Sequence, residues 1–208
     1  MPKRKGYILE QIADWDNLEL AVCSSQKGGK VKRNMFIRKF NENKEHNLML
    51  LQVMILTLDF PKPIYKLQKR VVDSGKERDI ILADYFPWHI LDHAVMQVIN
   101  EDINKNLIYD TYSSVKGRGT ILGVQRLKKF IRLNKEYKFF VKTDFKKFYE
   151  SINHELVMTA LNRKYKDKKF LYLMNNFILN YNSDIEEVLE NEKEKRITNR
   201  ALYITTIS

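Results

Sequence analysis

The 208 residues carry 37 lysines and arginines against 26 aspartates and glutamates, a formal charge of +11, with 44% hydrophobic and 12% aromatic residues. That balance excludes a chain disordered over most of its length and leaves room for one or two folded units. The lone Cys23 excludes a disulfide framework and a cysteine-based zinc site, and no apolar run reaches the roughly 18 to 20 residues that span a bilayer.

The opening MPKRKGYILE is basic but has neither the apolar stretch nor the small-residue cleavage site of a signal peptide, so the expectation is a cytoplasmic protein with no membrane partner. The next residues, up to about position 40, mix turn signals (Ser24–Gly29) with short apolar runs and give no clear element. Asn41–Leu58 reads as a helix stopped by Asp59-Phe60-Pro61-Lys62-Pro63. Ile64–Ala83 reads as extended, with a hairpin turn at Asp73-Ser74-Gly75-Lys76. From Asp84 to about Asn100 a helix is expected: Pro87 suits its first turn, and Ile90, Leu91, Ala94, Val95 and Val98 recur on one face.

Asp110–Thr120 is a loop around Gly117-Arg118-Gly119, with Thr120 as N-cap of a helix over Ile121–Leu133. Tyr137–Thr143 then reads as a buried strand running into Asp144. Asn153 caps a helix over His154–Tyr165. Another follows over Lys169–Tyr181, with Phe170, Leu171, Met174, Phe177 and Ile178 at core spacing. Beyond Asp184 the chain turns charged and poor in apolar residues.

Basic residues gather at Pro2–Lys5, Lys27–Arg33, Lys66–Arg78, Lys116–Arg118, Lys128–Arg132 and Arg163–Lys169. A polyanionic partner is expected, held by an attraction that weakens steeply with salt. Strand alternation through Lys66, Lys69, Arg70, Lys76 and Arg78 places alternate members on one face, able to reach a nucleic-acid backbone or a triphosphate. A solvated hairpin is the competing reading. His89 and His93 stand four apart but lack the Glu of a metalloprotease helix and any evident third ligand, and read as a polar helix face. Gly28-Gly29, between Lys27 and Lys30, lacks the spacing of a phosphate-binding loop and reads as a basic turn.

The sharpest feature is Phe139-Phe140-Val141-Lys142-Thr143-Asp144-Phe145-Lys146-Lys147-Phe148-Tyr149-Glu150-Ser151-Ile152. An apolar strand delivers one carboxylate at its end, followed by a paired aromatic. In nucleotidyl transfer a carboxylate so placed holds Mg²⁺ in a two-metal arrangement, and the next backbone carbonyl, that of Phe145, can join it. The plainer reading makes Asp144 a strand end and the aromatics core.

In this context KTDFKKFYESINHELV resembles the first palm motif of the bacterial reverse transcriptases, in the retron, group II intron and diversity-generating-retroelement branches. KERDIILADYFPWHILDHAVMQVI resembles the fingers strand and helix of that family, and Asp110–Thr120 resembles its "S-Y-x-x-x-x-G-K/R-G-T" element. The three motifs come in the family's order and span roughly residues 60 to 182.

The resemblance implies an α/β (α+β), helix-rich right-hand polymerase architecture. Its parts would be an N-terminal helical extension over 1–59, fingers over 60–135, a partial palm over 136–182 and a charged tail over 183–208, disordered or read out of frame. Asp144 would be the catalytic metal ligand with the Phe145 carbonyl, Tyr149 the steric gate at the nucleotide sugar, and Lys76 and Arg78 the triphosphate contacts. The loop residues Lys116, Gly117, Arg118 and Gly119 would contact the template, and the reading of the basic extended segment adds Lys69 and Arg70 as nucleic-acid contacts. The implied activity is RNA-directed DNA polymerisation with Mg²⁺ or Mn²⁺, on an RNA template with a DNA or RNA primer and deoxynucleoside triphosphates.

The departures bear on activity. The family's Asp-Arg-Val in the fingers helix stands here as Trp88-His89-Ile90, and no Asp-Asp pair occurs anywhere, so the aromatic-x-Asp-Asp carboxylates are missing. One carboxylate cannot hold two Mg²⁺ ions against water. The chain is therefore expected to be inactive alone, through frameshift, truncation or separation from a second chain that supplies the rest of the palm. The alternative from another class is a non-catalytic RNA-binding module.

Overall fold

The computed structural model describes residues 4–28, 34–72, 75–145 and 152–178, with hairpin positions 72, 76–79 and 81 given by backbone alone. The chain is helix-rich and divides into two compact units, one of residues 1–98 with 154–208 and one of residues 99–153.

The first unit begins with α1 (Ile8–Ile12) and α2 (Trp15–Ser25). Asp14 starts α2 by accepting the N–H groups of Asp16 and Asn17 at 3.1 and 3.4 Å, and Asn34 does the same for α3 (Met35–Glu42) with Phe36 and Ile37 at 2.9 and 3.4 Å. Such caps satisfy donors a helix start leaves open and contribute about 1 kcal/mol each.

The single helix expected over Asn41–Leu58 is instead the junction of α3 with α4 (Lys44–Thr57). Asn43, at φ −133° and ψ 46°, leaves helical geometry, and Asn47 Nδ2 covers the Phe40 carbonyl at 2.9 Å. Leu58 ends α4 at a positive φ of 61°, ahead of the proline-rich breaker.

Leu48, Leu51 and Ile55 of α4 recur at helical spacing and are fully buried. They join Leu9 and Ile12 of α1, Leu18 and Ala21 of α2, and Ile90, Leu91 and Ala94 in a shared core. Polar ties fix the register: Asn17 Nδ2 donates to the carbonyls of Ile12 and Ala94 at 3.0 and 3.2 Å, and Gln52 Nε2 to that of Ala13 at 2.8 Å.

β1 (Lys66–Val72) and β2 (Lys76–Leu82) form the expected antiparallel hairpin. The helix expected from Asp84 begins later: Phe86 is extended (φ −121°, ψ 131°) within an irregular turn over Tyr85–His89, and α5 runs over Ile90–Asn104. Phe40 packs on that turn, its ring 5.6 Å from Tyr85 and 5.5 Å from Phe86. Trp88 lies between the rings of Phe60 and Phe177, each at 5.4 Å.

The unit closes with α7 (His154–Lys164) and a helix, α8, over 168–178. One carboxylate joins this end of the chain to the start. Asp167 Oδ2 accepts the N–H groups of Ile8 and Leu9 at 2.8 and 2.9 Å, while Oδ1 accepts those of Lys169 and Phe170, both at 3.1 Å. It thus caps α1 and α8 together, and Lys5 adds a short parallel bridge to Tyr165. Partial burial pushes the Asp167 carboxyl up, but the four N–H donors outweigh it and hold the group below the usual carboxylate range.

The second unit holds the end of α5, the loop that follows, α6 (Thr120–Leu133) and the segment leading to Phe145. Gly119, with no side chain to cap, precedes α6, and Thr120 is its first residue rather than its cap. The strand expected over Tyr137–Thr143 is not formed: these residues have no ladder partner, and Phe139, Phe140 and Val141 are 94%, 92% and 87% exposed. A strand exists only where a neighbour takes its N–H and C=O groups, and no described segment of this unit does so. No helix among the described residues is long and apolar enough to cross a membrane.

Candidate nucleic-acid interface

Two basic sites emerge, one in each unit. In the first, the ladder pairs Lys66 with Leu82, Lys69 with Asp79, Arg70 with Arg78 and Val72 with Lys76. Residues directly opposite in an antiparallel pair share a face, so positions 66, 70, 76 and 78 fall on one face and position 69 on the other. The five hairpin cations are thus sorted four to one, with Lys69 opposite an acidic partner. Lys66, Lys69 and Arg70 are exposed. The Arg70 guanidinium is steadied by Gln68 Oε1, at 3.2 Å from Nε and 3.0 Å from Nη2. Lys66 Nζ sits 4.9 Å from the centre of the Phe36 ring, a cation–π contact that ties the hairpin to α3. The Ile64 N–H donates to Asp84 Oδ2 at 3.2 Å, closing the hairpin's base.

In the second unit, a cleft of about 430 Å³ is lined by Tyr109, Tyr112, Gly117, Arg118, Arg126 and Lys129 among others. Gly117, at φ +78°, makes the turn that an L side chain would strain. Arg118 Nη1 donates to the carbonyls of Tyr109 and Thr111 at 2.7 and 3.2 Å and so holds the loop closed. Asp110 Oδ1 accepts from Tyr112 Oη at 2.8 Å and from Arg126 Nε at 3.0 Å, joining the loop to α6. These two bonds hold the Asp110 carboxyl below its ordinary range, and the carboxylate in turn raises Arg126. Gly123 belongs to the same assembly: a Cβ there would come within 3.2 Å of the Tyr112 ring.

Of the residues expected at the interface, Gly117 and Arg118 line this cleft, with Gly119 and the exposed Lys116 beside them in the loop. Lys69 and Arg70 stand on the hairpin in the other unit, on opposite faces. Lys76 and Arg78 are placed by the ladder. Asp144 and Phe145 lie in the exposed segment of the second unit, and Tyr149 falls outside the described residues. Among the described residues no group of three or more His, Cys, Asp or Glu could hold a metal ion, so Asp144 is not joined there by the carboxylates a two-metal site needs. His89 and His93 stack edge to face at 5.0 Å, and burial lowers both imidazoles, with His89 and Lys27 adding to the effect on His93.

Sequence reasoning missed Tyr109, Asp110 and Arg126 as one constellation. A signal was present in Gly123: a glycine inside an apolar helical pattern marks a close approach. No protein-family model matches the chain, and no curated protein is significantly similar to it.

Proposed function

We propose that this chain is the fingers and first palm portion of a reverse-transcriptase-type protein of the retron, group II intron or diversity-generating class, and that its own contribution is to bind RNA. The observation that carries the reading is the hairpin register. It sets Arg70 directly opposite Arg78, with Lys66 and Lys76 on the same face. Like charges directly opposite destabilise a ladder unless an anion offsets them, and a phosphate backbone or triphosphate is such an anion. The second unit's cleft, with two arginines, a lysine and exposed Tyr109, adds the basic and aromatic pairing that unpaired nucleic acid uses.

In this reading Asp144 becomes a metal ligand, with Tyr149 as the sugar gate, only when a full palm or a second chain supplies the remaining carboxylates. Mg²⁺ would then neutralise triphosphate charge and activate the primer hydroxyl. A second reading, a non-catalytic RNA-binding module, rests on the same basic face and needs no Asp144.

The test is titration of labelled single-stranded RNA with the purified chain across a salt series. Binding should weaken linearly with log salt. Replacing Lys66, Arg70, Lys76 and Arg78 by Gln should weaken it strongly and lower the slope by about 2 to 3, at roughly 0.7 for each phosphate no longer neutralised. Asp144→Asn should leave binding unchanged. If the chain has no salt-sensitive affinity for RNA, the reading is wrong. Primer extension separates the two readings: with the palm completed, Asp144→Asn abolishes synthesis in the first and has no synthesis to abolish in the second.

A further inference from the structure

Arg126 meets its counter-charge inside the chain, yet the pair is open to solvent, with the Arg126 and Asp110 side chains 43% and 51% exposed. Its Nε donates to Asp110 Oδ1, and among the described residues Nη1 and Nη2 have no hydrogen-bond partner. One donor of the five on the guanidinium is therefore in use. Arg118 differs: its Nη1 is committed to two backbone carbonyls, which makes it the loop's fastening. Both guanidiniums lie against the ring of Tyr109, at 5.7 and 5.5 Å from its centre, and that ring is 73% exposed. Lys129 adds a third cation to the lining.

A guanidinium fork matches carboxylates and phosphates, and Asp110 uses it at one point only. A phosphate group could take both N–H groups on that edge. The exposed Tyr109 ring beside it offers a stacking surface to an unpaired base, which favours single-stranded RNA over free phosphate.

We propose that Asp110 is the internal counter-anion of this cleft, and that a backbone phosphate of single-stranded RNA replaces it on Arg126. The proposal deepens the RNA-binding reading and rests on it. The exchange leaves the Asp110 carboxylate to recruit a cation from solution, so binding releases about one counterion fewer than it would without that charge.

The experiment is fluorescence anisotropy of a labelled single-stranded RNA with the full chain over a salt series, for the wild type, Asp110→Asn, Arg126→Gln and the double variant. Asn retains an acceptor for Tyr112, so the loop keeps its tie. Asp110→Asn should bind about two- to fivefold more tightly at low salt, with a log–log slope steeper by about 0.7. In the Arg126→Gln background the same change should have no effect.

Unchanged or weaker binding by Asp110→Asn overturns the exchange and makes Asp110 a scaffold residue. An equal gain in both backgrounds also overturns it, since the effect is then long-range charge alone. In the wild type, the Arg126 Nε–H resonance should shift when RNA is added, and a resonance that stays put while RNA binds overturns the proposal independently of any variant. If the wild type binds no RNA at low salt, both the exchange and the RNA-binding reading fall, whereas binding that ignores Asp110 removes the exchange alone.

Discussion

α4 and α6 are each 14 residues long and each carries apolar residues at helical spacing, but only α4 has a buried face, while its Met49 and Val53 are exposed like the apolar residues of α6. In α4, Leu48, Leu51 and Ile55 are sealed in the core of the first unit. In α6 no described residue is buried, and Ile121, Leu127 and Ile131 are 75%, 57% and 61% exposed. Ties among the described residues of the second unit include Arg118 on two carbonyls, Asp110 between Tyr112 and Arg126, and the Phe130 ring stacked 6.0 Å from Tyr137. The difference teaches that apolar residues at helical spacing specify a helix but not whether, or on which side, it is covered. The stabilisation comes only when a second surface removes the apolar side from water.

The largest expected effect probes the buried side. Leu51→Ala should cost about 2 to 5 kcal/mol, because it leaves a cavity at a fully buried position, and denaturant melts of the chain would measure it. Asp167→Ala comes next. It removes the caps of two helices at once, for about 2 kcal/mol at about 1 kcal/mol per cap.

The same carboxylate gives a pH signature. Its folded-state pKa lies below the usual value, so its stabilisation is fully present above the ordinary carboxylate range and is lost as pH falls through the depressed one. Asp167→Asn should remove that part of the acid-side slope in melts recorded from neutral to acid pH. A slope unchanged in the variant would remove Asp167 from the clamp.

The smallest effect belongs to α6. Leu127→Ala should change stability by less than about 0.5 kcal/mol, as at other exposed positions. A cost matching that of Leu51→Ala would break the comparison, since it would mean that Leu127 has a covering surface in solution.

Much of the local structure was legible before any fold was known. The hairpin followed from its extended runs around a Ser-Gly turn, and α6 from the glycine loop and the start signal at Thr120, one residue off the observed cap at Gly119, because both signals arise between residues a few positions apart. The first 40 residues were opaque although Asp14 and Asn34 were available as caps, since the helices they start are short and each shows the core only a few residues. The strand expected from Phe139-Phe140-Val141 was read from hydrophobicity, which records a preference for burial and not the presence of a neighbour. At the basic sites the residue types were visible, but their grouping was not. Whether five cations split four to one depends on register, and one residue of slip would have exchanged the faces.

By itself, then, the sequence determined the charge, the hairpin and the approximate place of the helices beyond residue 40, the turn glycines and the types of residue available to meet an anion, all properties of neighbours in the chain. The tertiary structure alone decided three matters. Asp167 caps a helix 159 positions earlier, Arg126 finds its counter-charge 16 positions back, and of two helices of equal length one has a buried face and the other has none among the described residues. Each depends on which surfaces the folded chain brings together, and no local pattern encodes that.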